Sequence, residues 1–425
     1  MASTGDIVTE FLARGLVHDS TDRAELTALS TSKRMTAYVG FDPTADSLHV
    51  GHLLGQIALR RLQLLGHRPL VLAGGATGMV GDPSGRSEER NLLDVDTLRH
   101  NVERIKSQLE RILDFSSGST GAILVDNADW TAGVSFLNFL RDVGKYVTVN
   151  QMVAKDSVKS RMSDGNGLSY TEFSYMLLQA NDFRHLCEHY DCEMQLGGSD
   201  QWGNITVGID LIRKAMGRSA HGLTWPLVTK SDGTKFGKTA SGAVWLDSQR
   251  TSAYQFRQFW MQVSDLDIER FLPQFSLRPM TELVGILAEQ RERPESRVAQ
   301  RALAREMTEM VHGADAAEAA EQAADVLFGA NPVSASLHAL QLIADEVPST
   351  TMGRATLHDA VGVLVTTSLA SSNSEARRLL AQRSVRANGE QLDEHAKMDR
   401  IPLLHGRWLL LRKGKTAYHL LDFAG

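Results

Sequence analysis

A chain of 425 residues, 42% hydrophobic and 23% charged, has enough apolar surface for a large core in two or three domains. No apolar run approaches the ~18 residues of a membrane span, and MASTGDIVTEFLARG carries Asp6 and Glu10 where a secretory signal would be basic. A net charge of −6 excludes a general polyanion binder, and Cys187 and Cys192, bracketing EHYD, match neither a disulfide framework nor a common zinc pattern, which points to two reduced structural thiols in the cytoplasm.

The first half alternates strand and helix signals. MTAYVGFD reads as a strand, LLGQIALRRLQLLG as an amphipathic helix and RPLVLAGGA as a strand ending in small residues. Residues 102–115 are helical, AILVDNADW is a strand and SFLNFLRDVG a helix. The alternation predicts an α/β fold with a doubly wound parallel sheet. Such sheets bind ligands beyond the C-terminal ends of their strands, where residues 40–42, 74–81, Asn127 and 197–201 fall. From about 251 to 327 the chain is mostly helical, with an acidic, alanine-rich stretch that reads as a solvated face. Residues 331–355 hold Pro332, Pro348, Gly353 and several Ser and Thr, the composition of a linker. A compact unit follows from 356, with ten Lys+Arg against seven Asp+Glu, a mildly basic end on an acidic body.

Two motifs carry phosphate chemistry. In YVGFDPTADSLHVGHLLG, His49 and His52 stand at i and i+3 around Gly51. A helix starting near Leu48 puts both imidazoles on one face of its first turn. There the unpaired N–H groups and the positive end of the helix dipole favour phosphate, and Gly51 lets a base or ribose approach the backbone. The bland alternative is a helix start with one capping and one buried histidine. In KSDGTKFGKT, residues 230–239, Lys230, Lys235 and Lys238 lie among glycines and hydroxyls. Such a cationic loop can close over a pyrophosphate as charge builds on it. Alone it is a solvated basic turn; paired with HVGH on an α/β sheet, it predicts a nucleotide site.

TEFSYMLLQAND places Tyr175, Gln179 and Asp182 on one helical face, a pattern shared with ordinary core helices. Near the C-terminus Arg377, Arg378, Arg383 and Arg386 read as one cluster on a helical stretch, Asn388-Gly389 as a tight hairpin, and Arg412, Lys413 and Lys415 as a second basic patch.

HVGH resembles the HIGH motif of class I aminoacyl-tRNA synthetases, and KFGKT resembles their KMSKS loop in the form that bacterial tyrosyl-tRNA synthetases show. YVGFDPTADSLHVGH, GGATGMVGDPSGR, TEFSYMLLQAND and GGSDQWGNI are similar to blocks of that family, in the same order, over nearly the whole chain. The resemblance implies a Rossmann-like catalytic domain at 1–245, a helical anticodon-side domain at 246–330, the linker at 331–355 and a small α+β S4-like RNA-binding domain at 356–425. It implies activation of L-tyrosine by ATP, then transfer to the 3′-terminal adenosine of tRNA(Tyr). The expected form is a cytoplasmic homodimer joined through its Rossmann domains, with Mg2+ accompanying ATP and no tightly bound metal.

By the same resemblance Tyr175, Gln179 and Asp82 hold the substrate ammonium, Tyr38 and Asp182 meet the phenolic hydroxyl, and Gln201 lies near the substrate carboxylate. Gly40, Asp42, Thr44, His49, Gly51 and His52 take ATP-contacting positions, and Gly198 and Asp200 approach the ribose. Thr44 and His49 meet the terminal phosphates, with Arg86, Arg90, Lys230, Lys235 and Lys238 as cationic support. The catalytic set is His49, His52, Lys235, Lys238, Thr44 and Arg86. Arg86 stands where lysine is familiar, and Gly55 where some relatives carry threonine. Arg377, Arg378, Arg383, Arg386, Arg412, Lys413 and Lys415 are the expected RNA contacts. Tryptophanyl-tRNA synthetase is the nearest alternative; Tyr38 with Asp182 and the S4-like tail argue against it. Intact His49, His52, Lys235 and Lys238 argue against a non-catalytic RNA-binding protein on a synthetase scaffold.

Overall fold

The computed structural model describes the chain apart from residues 1–3, 85–92, 117, 164–167, 235, 240–241, 355–356, 358 and 424–425. Strands β1 (Thr36–Phe41), β2 (Arg68–Ala73), β3 (Ile123–Asp126), β4 (Cys192–Gly198) and β5 (His221–Trp225) form one parallel sheet. Their order is β3-β2-β1-β4-β5. Five of the six residues of β2 are buried, as in strands covered on both faces. From β1 the chain winds outward through β2 and β3, then crosses back to β4 and β5. The reversal opens a crevice between the carboxyl ends of β1 and β4, where a sheet of this kind binds its ligand. The doubly wound parallel architecture is the one the sequence predicts.

Three helices frame the crevice: Val50–Leu64 after β1, Tyr170–Tyr190 before β4 and Trp202–Met216 after it. The second starts where the Ser169 side chain accepts from Glu172 N, and stops where Asp191 turns left-handed at φ 49°. Tyr38, Leu70, Leu72, Phe183, Leu186 and Ile212 pack between helix and sheet. Each such fully buried side chain contributes about 1.5–3 kcal/mol. A two-strand hairpin, β6 (Lys238–Thr239) with β7 (Gly242–Ala243), follows the sheet.

These elements belong to a compact unit of residues 1–250 and 261–303. Its helix Asp265–Phe275 is held from both sides at its carboxyl end. Arg61, 2% exposed, donates through Nη2 to Gln274 O and Ser276 O, each at 2.6 Å. Arg14 donates to Ser276 O and Arg278 O, each at 2.8 Å. Two guanidinium groups thus bond carbonyls at and just beyond a helix end, where cations also suit the dipole. Because Arg61 sits on the Val50–Leu64 helix, it ties that helix to Asp265–Phe275.

The second unit comprises residues 251–260 and 304–425. Its mixed sheet has the order β10-β9-β11-β12-β8, from β8 (Ser349–Thr351), β9 (Val385–Ala387), β10 (Glu390–Gln391), β11 (Trp408–Lys413) and β12 (Ala417–Asp422). The linker expected at 331–355 is instead structured over its described residues, 331–354. Leu337–Glu346 is a helix with Ala339, Leu340, Leu342 and Ile343 buried against Trp408, Leu410 and Leu420, and β8 pairs in parallel with β12. Pro332 opens a short 3-10 turn, and the Pro348 carbonyl accepts from Leu420 N, so the prolines punctuate ordered chain. The compact division also differs from the expected boundaries at 245, 330 and 355. Ala253 is a core residue of the second unit, whereas 261–303 cluster with the first.

Arg61→Ala removes the Nη2 donor of the Gln274 carbonyl, while Arg14 still donates to the Ser276 carbonyl. The expected loss is about 1–3 kcal/mol in urea unfolding, with Arg61→Lys intermediate. An unchanged midpoint for Arg61→Ala contradicts the tie.

Candidate functional site

The histidine pair sits at the rim of the crevice. The helix begins at Val50, two residues later than the sequence predicts, and His49 is its N-cap. His49 Nδ1 accepts from Gly51 N at 3.0 Å, and His52 Nδ1 accepts from His49 N at 3.3 Å. Accepting at Nδ1 keeps the proton of a neutral ring on Nε2, so each ring presents an N–H donor. The rings stack at 4.0 Å and 28°. Any Cβ at position 51 would lie 2.7 Å from His49 Cε1, so the close approach requires Gly51.

The KFGKT segment is tethered beside this pair. Val50 N donates to Val244 O at 3.0 Å, Leu246 N to Leu48 O at 2.8 Å, and Val244 N to Gly237 O at 3.0 Å. Phe236 is buried against Phe271 and Phe275, with ring centroids at 5.1 and 5.3 Å. Ser231 donates its N–H (2.9 Å) and its hydroxyl (3.1 Å) to Asp267. Lys230 is half-buried at the start of the loop, and the backbone of Lys238 opens β6. Arg86, Arg90, Lys235 and the Lys238 side chain lie outside the described residues.

Between β1 and β4 lies a cavity of about 390 Å³. Tyr38, Gly40, Asp42, Thr44, His49, Gly51, His52, Asp82, Tyr175, Gln179, Asp182, Gly198, Asp200 and Gln201 all line it, as does Gly55. The structure therefore gathers the expected amino-acid set and most of the expected nucleotide set around one space. Of the residues expected at tyrosine or in the catalytic and ATP-binding sets whose side chains are described, Lys230 alone is not among its walls.

Two buried groups face this space with unusual electrostatics. Asp182 is 2% exposed; Oδ1 accepts from Trp130 Nε1 and Oδ2 from Asn127 Nδ2, both at 2.9 Å. Burial pushes its carboxyl up to about 7, against the pull of those two hydrogen bonds. The Tyr38 hydroxyl is buried with no hydrogen-bond partner among the described residues. Burial first, then the Asp182 charge, holds its phenol well above the ordinary range.

The middle of the cavity is a wall of acceptors. Asp82 Oδ2 accepts from Gln201 Nε2 at 2.7 Å and Oδ1 from Ser84 N at 2.9 Å. Gln179 Oε1 accepts from Asn204 Nδ2 at 3.0 Å. Tyr175 donates its hydroxyl to Asp42 Oδ2 at 2.9 Å, and Thr77 donates to Asp42 Oδ1 at 2.8 Å. Asp42, grouped with the nucleotide by sequence, is thus bonded to a residue of the amino-acid set. Gly74 makes this possible, because a Cβ there would lie 2.3 Å from Asp42 Oδ1. Burial also raises the Asp200 carboxyl.

Sequence reasoning passed over Trp130, Thr77 and Asn204, and named Asn127 only as a strand end. Asn127 and Trp130 follow β3 at i and i+3, which was the available signal.

In the second unit Arg377 and Arg378 lie exposed on the helix Asn373–Ala381, but Arg383 and Arg386 do not. Arg383 is in a left-handed turn at φ 50°, and Arg386 is on β9, directly opposite Arg412 of β11. The two basic patches therefore meet on the sheet, where Arg386 and Arg412 line a cavity of about 190 Å³. Lys413 donates instead to Leu369 O at 2.6 Å, and Lys415 is exposed in the β11–β12 turn. Asn388 (φ 47°) and Gly389 (φ 90°) make the predicted two-residue hairpin.

Comparison with known proteins follows this geometry. The family model of class I tRNA synthetases (W and Y) matches residues 30–329, and that of the tyrosine–tRNA ligase SYY-like C-terminal domain matches 339–421. A tyrosine–tRNA ligase of Roseiflexus castenholzii is 49% identical over 423 residues, 98% of this chain and 99% of its own length. One of Opitutus terrae is 49% identical over 417 residues, 97% and 98% of the two chains. The crystal structure of a C-terminally truncated Aspergillus nidulans mitochondrial tyrosyl-tRNA synthetase superimposes with a TM-score of 0.69 at 34% identity, over 77% of this chain and 95% of that one.

The Asp182 carboxyl has a direct stability signature. Its folded value, about 7, lies above the ordinary carboxylate value, so ionising it opposes folding. That cost is absent below the ordinary range, grows as pH rises, and is complete above about 7. Thermal midpoints of the unliganded wild type should fall, relative to Asp182→Asn, by several degrees from pH 5 to pH 8; parallel profiles contradict a desolvated carboxylate.

Proposed function

This chain belongs to the class I tRNA synthetases as a tyrosine–tRNA ligase, and we propose that the cavity between β1 and β4 is where it joins tyrosine to ATP. The enzyme converts L-tyrosine and ATP to tyrosyl-adenylate and pyrophosphate, then charges tRNA(Tyr). The reading of the site is carried by one observation: a buried Tyr38 hydroxyl without a partner among the described residues and a desolvated Asp182 carboxylate line the same cavity. A tyrosine phenol entering there donates to Asp182 and meets the Tyr38 hydroxyl. Phenylalanine removes water from both groups and returns no hydrogen bond, a discrimination for which tyrosyl-tRNA synthetases are themselves the standing example.

Asp82, Gln179 and Tyr175 accept the substrate ammonium, and Gln201, bonded to Asp82, lies by the substrate carboxylate. That carboxylate is already ionised and attacks the α-phosphorus of ATP in line, so no enzyme nucleophile or general base is needed. The Nε2–H groups of His49 and His52 and the Thr44 hydroxyl stabilise charge on the phosphate oxygens as pyrophosphate leaves. Lys230, Lys235, Lys238 and Arg86 supply positive charge to the same end. Gly40, Asp42 and Gly51 border the nucleotide, and Asp200 beside Gly198 accepts from the ribose hydroxyls.

Mg2+ accompanies ATP in this reading, neutralising phosphate charge. Among the described residues no three His, Cys, Asp or Glu side chains gather to hold an ion. A second copy of this chain covers the helix Phe136–Asp142, which has no buried residue and leaves Phe136 61% and Leu137 74% exposed. No helix of the described residues is long and apolar enough to cross a membrane, and the cytoplasm is the proposed location. Arg377, Arg378, Arg383, Arg386, Arg412, Lys413 and Lys415 contact the tRNA backbone.

Asp182→Ala should lose about 10- to 100-fold or more in tyrosine-dependent ATP–pyrophosphate exchange while its circular dichroism stays native. Near-normal exchange removes Asp182 from the pocket. In contrast, Arg386→Glu combined with Arg412→Glu should leave exchange unchanged and raise the KM for tRNA about tenfold; an unchanged KM for tRNA places RNA elsewhere.

A further inference from the structure

We propose that His185 is a positioning residue for tyrosine recognition, acting through Trp130 on the Asp182 carboxylate. The inference rests on the reading of Asp182 given above and extends it toward the protein surface. Asp182, His185 and His189 stand at i, i+3 and i+7 of the helix Tyr170–Tyr190, so they share one face. Trp130 reaches that face from the chain just after β3. Its ring lies parallel to His185 at 4.2 Å between centroids and 11° between planes. His189 in turn approaches His185 at 4.3 Å. A column of rings thus runs from exposed His189, through half-buried His185 and Trp130, to the buried carboxylate.

The column matters because an indole has one hydrogen-bonding atom. Among the described residues, Nε1–H of Trp130 is the sole donor to Asp182 Oδ1, at 2.9 Å. Any tilt of the ring carries that donor away and leaves one oxygen of a desolvated charge unsatisfied. Trp130 lies in the four-residue helix Ala128–Thr131, none of whose residues is buried, and its ring packs from there against the core that holds Tyr38 and Phe183. His185 adds a flat wall parallel to the ring, which fixes its plane. Burial first, then the charges of His189 and Arg184, depress its pKa to about 4, so the stacked ring is neutral at physiological pH. Glu188, whose charge acts in the opposite direction, does not reverse this.

The test uses the full-length enzyme in ATP–pyrophosphate exchange with tyrosine and with phenylalanine. His185→Ala should raise the KM for tyrosine and narrow the tyrosine-to-phenylalanine ratio of kcat/KM by about two- to tenfold, the worth of one aromatic stack. The KM for ATP should stay the same. His185→Phe, which restores a flat neutral ring, should bring both values back. Wild-type behaviour of His185→Ala overturns the proposal, as does a His185→Phe enzyme as impaired as His185→Ala. An equal rise in the KM for ATP also overturns it, since that marks general loss of order. Asp182→Ala, assayed alongside, separates the two levels. If it keeps exchange, the pocket reading falls and takes this inference with it; if it loses exchange while His185→Ala is normal, only the role of His185 falls.

Discussion

Burying the Asp182 carboxylate is the constraint around which this site is arranged. Water is removed from a charge, and the two hydrogen bonds from Asn127 and Trp130 only partly replace it, so the group still titrates near 7. The remaining capacity faces the cavity beside a Tyr38 hydroxyl that has no partner among the described residues. A fold retains such a pair when a ligand completes it. Asn127 also ties this end to the rest, since its Oδ1 accepts from Ala76 N and its Nδ2 approaches the Thr77 hydroxyl that holds Asp42. The groups proposed for the phenol and the border with the nucleotide therefore share one hydrogen-bonded frame.

The opposite rim works by a different physics. His49 and His52, proposed to meet the phosphates, are held by backbone bonds at their Nδ1 atoms. Catalysis by such groups depends on their being placed in advance rather than reorganised during the reaction. The KFGKT segment, read from its glycines as a mobile loop, is anchored by Phe236 in an aromatic cluster and by Ser231 on Asp267. Its stem is bonded to the histidine helix through Val244 and Leu246.

Much of this was legible in the sequence because it is local or periodic. Alternating apolar strands and helices define a doubly wound sheet, and the i, i+4, i+7 spacing of Tyr175, Gln179 and Asp182 brings them to one face. Histidine is not among the usual capping residues, so the helix start was read two residues early. Trp130 and Asn127 reach Asp182 across more than 50 residues of chain, a contact that no local pattern encodes. In the expected linker the prolines outweighed LHALQLIADE, whose buried Ala339, Leu340, Leu342 and Ile343 follow helical spacing. Arg386 was grouped with a helix although Val385-Arg386-Ala387 alternates like a strand and leads into Asn388-Gly389.

The claim that a desolvated Asp182 awaits the phenol is tested most directly by counting protons. Accepting a hydrogen bond from tyrosine favours the ionised carboxylate, so binding near pH 6.5 must expel a proton from the fraction still protonated. Calorimetric titration of tyrosine in buffers of different ionisation heat measures that number. The account predicts a clear fractional release in the wild type that disappears in Asp182→Asn. Tyrosine binding with no proton release, or with the same release in both proteins, contradicts it.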